Sequence, residues 1–408
     1  MVAVLGGLRG NRDLAVLVGG SGVAAFGAQL TLIGFTTALA GWGAFAVAGL
    51  FVAVAFGAVL GAPAAGWAVE RFPNRLLLAV TVFAQVLLLV GLLFGHERLP
   101  VLYGLVALLG VCGGVVRACA SALIPAATGT ADGHAAWSSA QNTAAVAGIV
   151  LGGVLAAGPG VEWAVMVDAV CVFVHLALVV LWLRVDRDPA QDDAGGAPSG
   201  QWSGWVLLRS DRLLLGRVAA QAVAGVAVAI ALVNEVFLVL GPIGGNEFTY
   251  SAVLACWTAG LLLGARPARR FTTPRALTVA FVGAGLVLAL ALAAPAQLPH
   301  LVVNALAWLV AGACGSAQNA TLNGLVQART SDAVRGRVFA TVGAIMACSG
   351  VVGILVAGAV VGAAGPRVAL TVASGFALVA ALMAVLAVLR RDHLRASLVS
   401  PDFDRVPL

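Results

Sequence analysis

Four ionisable side chains lie deep inside long apolar runs of this sequence: Arg117, Asp168, His175 and Glu235. Burying a titratable group in hydrocarbon is costly, so each is a functional candidate by default. A carboxyl can take up and release a proton, and Glu235 is the leading candidate for a proton carrier; a plain rim residue near the end of its run is the competing reading. Asp168 and His175 stand seven residues apart, which on a helix puts them on one face. Either could carry protons, and hydrogen bonding between helices is the alternative use. Arg117 is a buried partner, a residue that snorkels to an interface, or a group with a role in coupling or substrate binding.

Neutral polar residues in apolar runs mark the path a solute could take. They are Gln29, Gln221, Asn234, Gln318, Asn319 and Asn323. Gln318 and Asn319 are adjacent and cannot face the same way, so one is expected to pack between helices. The other, with Asn323 one turn on, would face the path. Trp308 offers an aromatic wall or an interface anchor. Six cysteines fall inside apolar runs without CxxC pairs or histidines in ligand spacing, so they read as small packing residues and no metal or cofactor is expected. No HExxH, Walker, GxGxxG-with-acid or Ser-His-Asp constellation is present, and no catalytic residue is assigned.

The elements that must position these groups are twelve apolar segments, at 13–40, 43–67, 76–95, 101–124, 137–158, 161–184, 213–240, 249–265, 276–295, 300–323, 338–363 and 368–389. A bilayer core about 30 Å thick takes roughly 20 apolar residues per helix, and no aqueous fold uses so many such runs in series. Composition agrees: 61% of residues are hydrophobic, 10% are charged, and mean hydropathy is +1.04. The expected fold is an all-α integral membrane protein with 12 transmembrane helices in two pseudo-symmetric six-helix halves. The first half spans 1–184, a linker 185–212, the second half 213–389 and a tail 390–408. The linker is too short and polar to bury a core.

All 23 basic residues are arginine, and the net charge is +6. In an aqueous protein that excess would raise the question of nucleic acid; here position answers otherwise. Arginines at 9, 12, 71, 75, 184, 187, 209, 212, 266, 269, 270, 275, 329, 335, 337, 390, 391, 395 and 405 fall on one side of the segment map, and only Arg98 and Arg367 fall in the opposite breaks. The positive-inside rule makes the arginine-rich side cytoplasmic, with both termini there. Arg217 sits just inside the seventh segment from that side. Duplication shows in three places: Glu70–Arg75 against Arg270–Arg275, Asp132 against Asp332, and Ala156-Ala157-Gly158-Pro159 against Ala363-Ala364-Gly365-Pro366. Parallel repeats around an axis along the membrane normal are a transporter layout.

Residues 61–75, GAPAAGWAVERFPNR, resemble the signature between helices 2 and 3 of the major facilitator superfamily, through Gly61, Gly66, Glu70, Arg71 and Arg75. Small residues there let helix 2 approach a partner closely. The resemblance implies a cytoplasmic latch whose charge pairs break in each cycle; Glu70 for the usual aspartate and Pro73-Asn74 for Gly-Arg imply a weaker or differently shaped one. Residues 145–158, AVAGIVLGGVLAAG, resemble the helix 5 signature of bacterial drug:proton antiporters through Gly148, Gly152 and Gly153. Ile149 stands where the family has proline, and Ala28 where many relatives carry an acid. By the same resemblance helices 1, 4, 7 and 10 line a central cavity, and Arg117 tunes a proton-carrying acid.

A cavity of amides with Ala, Val and Leu walls suits neutral or weakly cationic amphipathic molecules. The expectation is a secondary active transporter, not an enzyme, that exports drugs or secondary metabolites in exchange for protons and works as a monomer in the bilayer. A facilitator or importer is the alternative, and a membrane enzyme or a sensor stands behind it. The absence of lysine beside abundant Ala, Val, Gly and Arg points through codon bias to a high-GC bacterium, hence to a bacterial plasma membrane. Lipid, protons and a small-molecule substrate are the expected partners, without nucleic acid.

Overall fold

The structure, a computed structural model, describes residues 11–128, 132–186, 202–268, 274–330 and 332–399. Arg9, Arg187, Arg269, Arg270 and Arg405, and most of the expected linker, lie outside the described residues. Each hydropathy run becomes one helix. These are α1 (Arg12–Ala40), α2 (Ala44–Val69), α3 (Asn74–Gly95), α4 (Leu99–Thr128), α5 (Asp132–Ala157) and α6 (Val161–Trp182), followed by α7 (Arg212–Leu240), α8 (Glu247–Ala268), α9 (Pro274–Gln297), α10 (Leu301–Arg329), α11 (Asp332–Ala364) and α12 (Pro366–Val399). A nine-residue helix, Trp202–Ser210, precedes α7. Among the described residues, eleven helices are long and apolar enough to cross a membrane.

Several helices outrun their apolar segments at the arginine-rich end. Helix α10 continues to Arg329 and α11 begins at Asp332. Gln327, Ala328 and Arg329 are good helix formers that need no hydrocarbon around them, so hydropathy reports the membrane's thickness there and not the helix's end. At the opposite end the connections are tight. Four of them turn on a glycine with positive φ: Gly43, Gly160, Gly244 and Gly365. A Cβ would clash in that conformation. They fall between helices 1 and 2, 5 and 6, 7 and 8, and 11 and 12, which are matching points of the two halves.

The described chain forms two compact units. The first joins residues up to Gly196 with Val233–Ala255 and Ala357–Ala363, so the outer parts of α7, α8 and α11 belong with α1–α6. In it α1 packs on α5 and α6, α2 on α4, and α3 on α4 and α6. The second takes Ala197–Leu232, Cys256–Val356 and Ala364–Leu408, with α9 packed on α10 and α12. Leu208 of the short helix joins Leu213, Leu214 and Val218 of α7, Leu322, Leu325 and Val326 of α10, and Val338 and Val342 of α11 in one apolar cluster. Backbones approach closely in both units where glycines repeat at i, i+4. Gly57 and Gly61 of α2 meet Gly110 and Val111 of α4, and Gly260 and Gly264 of α8 meet Leu309 and Ala313 of α10. Small-residue contacts of this kind substitute for the hydrophobic drive that lipid removes.

Candidate functional site

The second unit holds a cavity of about 340 Å³ between α7, α8, α10 and α11. Gln221, Gly225, Val228 and Leu232 form its α7 wall, Trp257 and Leu261 its α8 wall, Gln318 and Asn319 its α10 wall, and Met346 and Ser349 its α11 wall. Three expected path residues therefore meet here. Gln221 and Gln318 are buried, and Gln221 Oε1 and Gln318 Nε2 have no hydrogen-bond partner. Buried amides are normally satisfied, so these two are available to a ligand.

Gln318 is 1% exposed with its Nε2 beside Gly285 of α9, whereas Asn319 is exposed. Both line the cavity, because it wraps one side of α10 and adjacent residues about 100° apart reach either flank of it. Asn323 is exposed and does not line it. Trp308 is neither wall nor interface anchor: it is 2% exposed and packs edge-to-face behind Trp257, with ring centroids 5.4 Å apart. Trp257 is the aromatic wall.

Glu235 belongs to the first unit and is fully buried, not a rim residue. It follows Gln221 by two heptads, so the two share one face of α7. Tyr250 of α8 lies within electrostatic range of Glu235 and hydrogen-bonds the Thr36 side chain. Thr36 spends its own proton on Leu32 O at 2.7 Å, so the Tyr250 hydroxyl is the donor. Asn234 is buried beside Glu235 with neither amide atom satisfied. Around this cluster the helix ends of the arginine-poor side pack closely. Gly153 of α5 lies against Ser251 and Glu247 of α8, and Gly358 of α11 lies against Ala48 and Phe45 of α2.

Asp168 and His175 face α1. Thr31 Oγ1 donates to Asp168 Oδ2 at 2.7 Å, while Asp168 Oδ1 and both His175 ring nitrogens are buried without partners. Gly27 makes room for Asp168, Gly20 for His175 and Gly34 for Val161, a seven-residue glycine repeat that matches the spacing on α6. Gln29 is half-buried and supports Gly148 of α5. Gly152 in turn meets Leu30 and Ile33, and α5 runs unbroken through Ile149. Arg117 is exposed, which removes the buried-partner reading, and its side chain passes Gly113 on its own helix.

The family model for the Major Facilitator Superfamily matches residues 14–329. The chain belongs to the Major Facilitator Superfamily. Membership makes it a multi-pass membrane transporter and not an enzyme. Among solved superfamily structures, the nucleoside transporter NupG superposes with a TM-score of 0.76 at 13% identity, over 92% of this chain and 98% of that one. A bacterial homologue of the human lysosomal transporter Spinster gives 0.72 at 16%, over 92% and 96%. A bacterial homologue of the iron transporter ferroportin, in an inward-facing state, gives 0.70 at 14%, over 92% and 98%. No curated protein sequence matches the chain.

The stretch that resembles the superfamily's signature between helices 2 and 3 is arranged as follows. Gly61 meets Val111 of α4, but Gly66 faces open space and takes no part in close packing. Glu70 caps the end of α2 and is exposed. Arg71 stacks over Trp67, 4.8 Å from the ring centroid. Arg75 receives the first unit's chain end: its N–H donates to Asp186 Oδ1 at 3.0 Å and its Nη2 to Val180 O at 3.3 Å. Asp13 holds the same stretch, accepting from Arg184 N at 2.7 Å.

In the second unit an ion pair that no signature marks does comparable work. Asp211 caps α7 through Leu213 N and Leu214 N, and its other oxygen meets Arg329 Nη1 at 2.6 Å. Burial alone would raise this carboxyl's pKa. The hydrogen bonds and charge of Arg329, with the two N–H groups, outweigh it and hold the pKa below the usual carboxylate value.

Proposed function

We propose that the protein is a proton-coupled secondary transporter that exports small amphipathic molecules by alternating access. The observation that carries this reading is the α7–α8–α10–α11 cavity, with unsatisfied amides at Gln221 and Gln318, a Trp257 wall and apolar flanks. Convergent polar groups in an otherwise apolar pocket are what an amphipath requires. Glu235 is the proposed proton carrier, on the cavity face of α7, with Tyr250 as the neighbour that senses its charge. Arg117 and Asp168 are secondary coupling candidates. The seal around Gly153 and Gly358 is the barrier that must part for release at the arginine-poor end, and the arginine-rich end, with both termini, is assigned to the cytoplasm of a bacterial cell. The unbroken α5, where antiporter relatives have proline, favours uncoupled facilitation as the second reading.

Proteoliposomes test both. Lipophilic fluorescent compounds are screened under an imposed pH gradient with wild type, Glu235→Gln and Arg117→Ala. Gradient-driven movement abolished by Glu235→Gln is expected. Movement indifferent to the gradient makes the protein a facilitator, and no movement of any compound removes the efflux reading.

A further inference from the structure

Arg217 sits five residues into α7 and is 3% exposed, although its side chain is long enough to seek water. It does not. Its guanidinium carbon lies 4.6 Å from the centroid of the Phe281 ring, and its Nε is buried without a hydrogen-bond partner. Among the described residues it has no carboxylate partner. The nearest acid in sequence, Asp211, is already engaged by Arg329 and by two backbone N–H groups. The face of an aromatic ring offsets only part of the cost of a desolvated cation. A positive charge is thus held in apolar surroundings without its counter-ion.

The position of Arg217 says where that counter-ion would come from. It precedes Gln221 by four residues on α7, and Thr321 follows Gln318 by three on α10, so both helices carry a polar stripe from the cavity toward Arg217. Along it Arg217 Nε, Gln318 Nε2 and Gln221 Oε1 are buried without a hydrogen-bond partner, and among the described residues no side-chain hydrogen bond occupies the rest of either amide. The Thr321 hydroxyl is occupied, bonding Ala317 O and Gln318 O at 2.9 Å each. A buried guanidinium without a counter-ion, beside unused amide groups, matches a ligand with an anionic head. Val228, Leu232, Trp257, Leu261 and Met346 match an apolar body.

We infer that the substrate of this cavity is an amphipathic organic anion, a carboxylate or phosphate, whose charge is met by Arg217 together with Gln318. This rests on the proposed cavity and narrows its substrate away from the neutral or weakly cationic molecules that composition alone suggested. Arg217 reaches the anion by swinging from Phe281 along the one turn that separates it from Gln221.

Binding of three fluorophores of nearly equal shape to the full-length protein in detergent tests this, read by energy transfer from tryptophan: dansylglycine, an anion, dansylglycinamide, neutral, and dansyl-ethylenediamine, a cation. Wild type is expected to bind dansylglycine at least about tenfold more tightly than the amide, a difference of about 1.4 kcal/mol. Arg217→Gln is expected to abolish that preference, and Arg217→Lys to keep part of it. Equal binding of anion and amide by wild type, a measurement that needs no variant, overturns the inference. So does a preference that survives in Arg217→Gln. Gln318→Ala separates this failure from that of the cavity itself: if it leaves all three ligands bound as before, the cavity reading falls too, whereas weakened binding without charge preference removes only the anion.

Discussion

The outer seal makes the sharpest quantitative claim. A Cβ added at Gly153 would overlap the Ser251 side chain and stand 3.0 Å from Glu247 O, where ordinary contact begins at 3.4 Å. Ser251 Cβ, which the added atom would overlap, is fixed to the backbone and cannot rotate aside, so α5 and α8 must part by on the order of 1 Å to reach ordinary contact. A gap that size forfeits a quarter to a half of each contact's dispersion energy, and overpacking of this kind costs about 1–3 kcal/mol. The strain exists only while this contact is closed, so on the proposed cycle Gly153→Ala biases the protein toward the state open at the arginine-poor end by a factor of about 5–150. Ala48 reports the state, being 4% exposed against Gly358. With the native cysteines replaced, Ala48→Cys gives a thiol whose labelling by a membrane-impermeant maleimide should accelerate by that factor when Gly153→Ala is added. Adding Ser251→Gly removes the overlapping atoms and should restore most of the slow rate. Labelling within twofold of the parent, or no rescue by Ser251→Gly, would refute the argument, because the first denies the strain and the second denies its location.

Two further outcomes follow from packing and charge. Gly264→Ala places a Cβ 2.7 Å from Ala313 Cα and against its carbonyl, and should lower thermal stability by about 1–3 kcal/mol, whereas Gly283→Ala, which meets nothing within 4 Å, should be neutral or gain up to about 1 kcal/mol in helix propensity; a thermal melt of both in detergent decides it. The Asp211 carboxyl has a pKa below its unfolded value, so its stabilisation is complete above about pH 4 and fades as pH falls through the lowered value; Asp211→Asn should therefore cost on the order of 1 kcal/mol at neutral pH and nothing at the acid end, measured as melting temperature against pH.

The helices were legible because hydrocarbon leaves one solution for a backbone, and twelve apolar runs can then be little else. Their ends were less so, since Gln327 and Asp332 extend helices into water where hydropathy is silent. Gln221 and Gln318 could be named in advance because an amide in an apolar run is expensive wherever it faces. Trp257 and Ser349 could not, because indole and hydroxyl are ordinary in such helices and only the packing of α8 and α11 turns them toward the cavity. Spacing gives the different directions of Gln318 and Asn319 around α10 but not the width of the space beside it, which both line. Arg217 counted in the sequence as one more positive charge near an end, and its burial over Phe281 depends on α9, which lies about sixty residues downstream. The pairing of Arg329 with Asp211 across more than a hundred residues was equally out of reach.

The turns at the arginine-poor end have a practical consequence for reagents. None is longer than the six residues between Leu240 and Glu247, and four are fixed by a left-handed glycine. An antibody fragment approaching that end finds no pliant loop to mould and must grip the rigid tips of several helices at once. Those tips include the ends of α5, α8, α2 and α11 that the seal holds together, so their spacing changes when it parts. A binder raised against this surface is for that reason a state-specific probe, locking or reporting one stage of the cycle whether or not it was selected to do so.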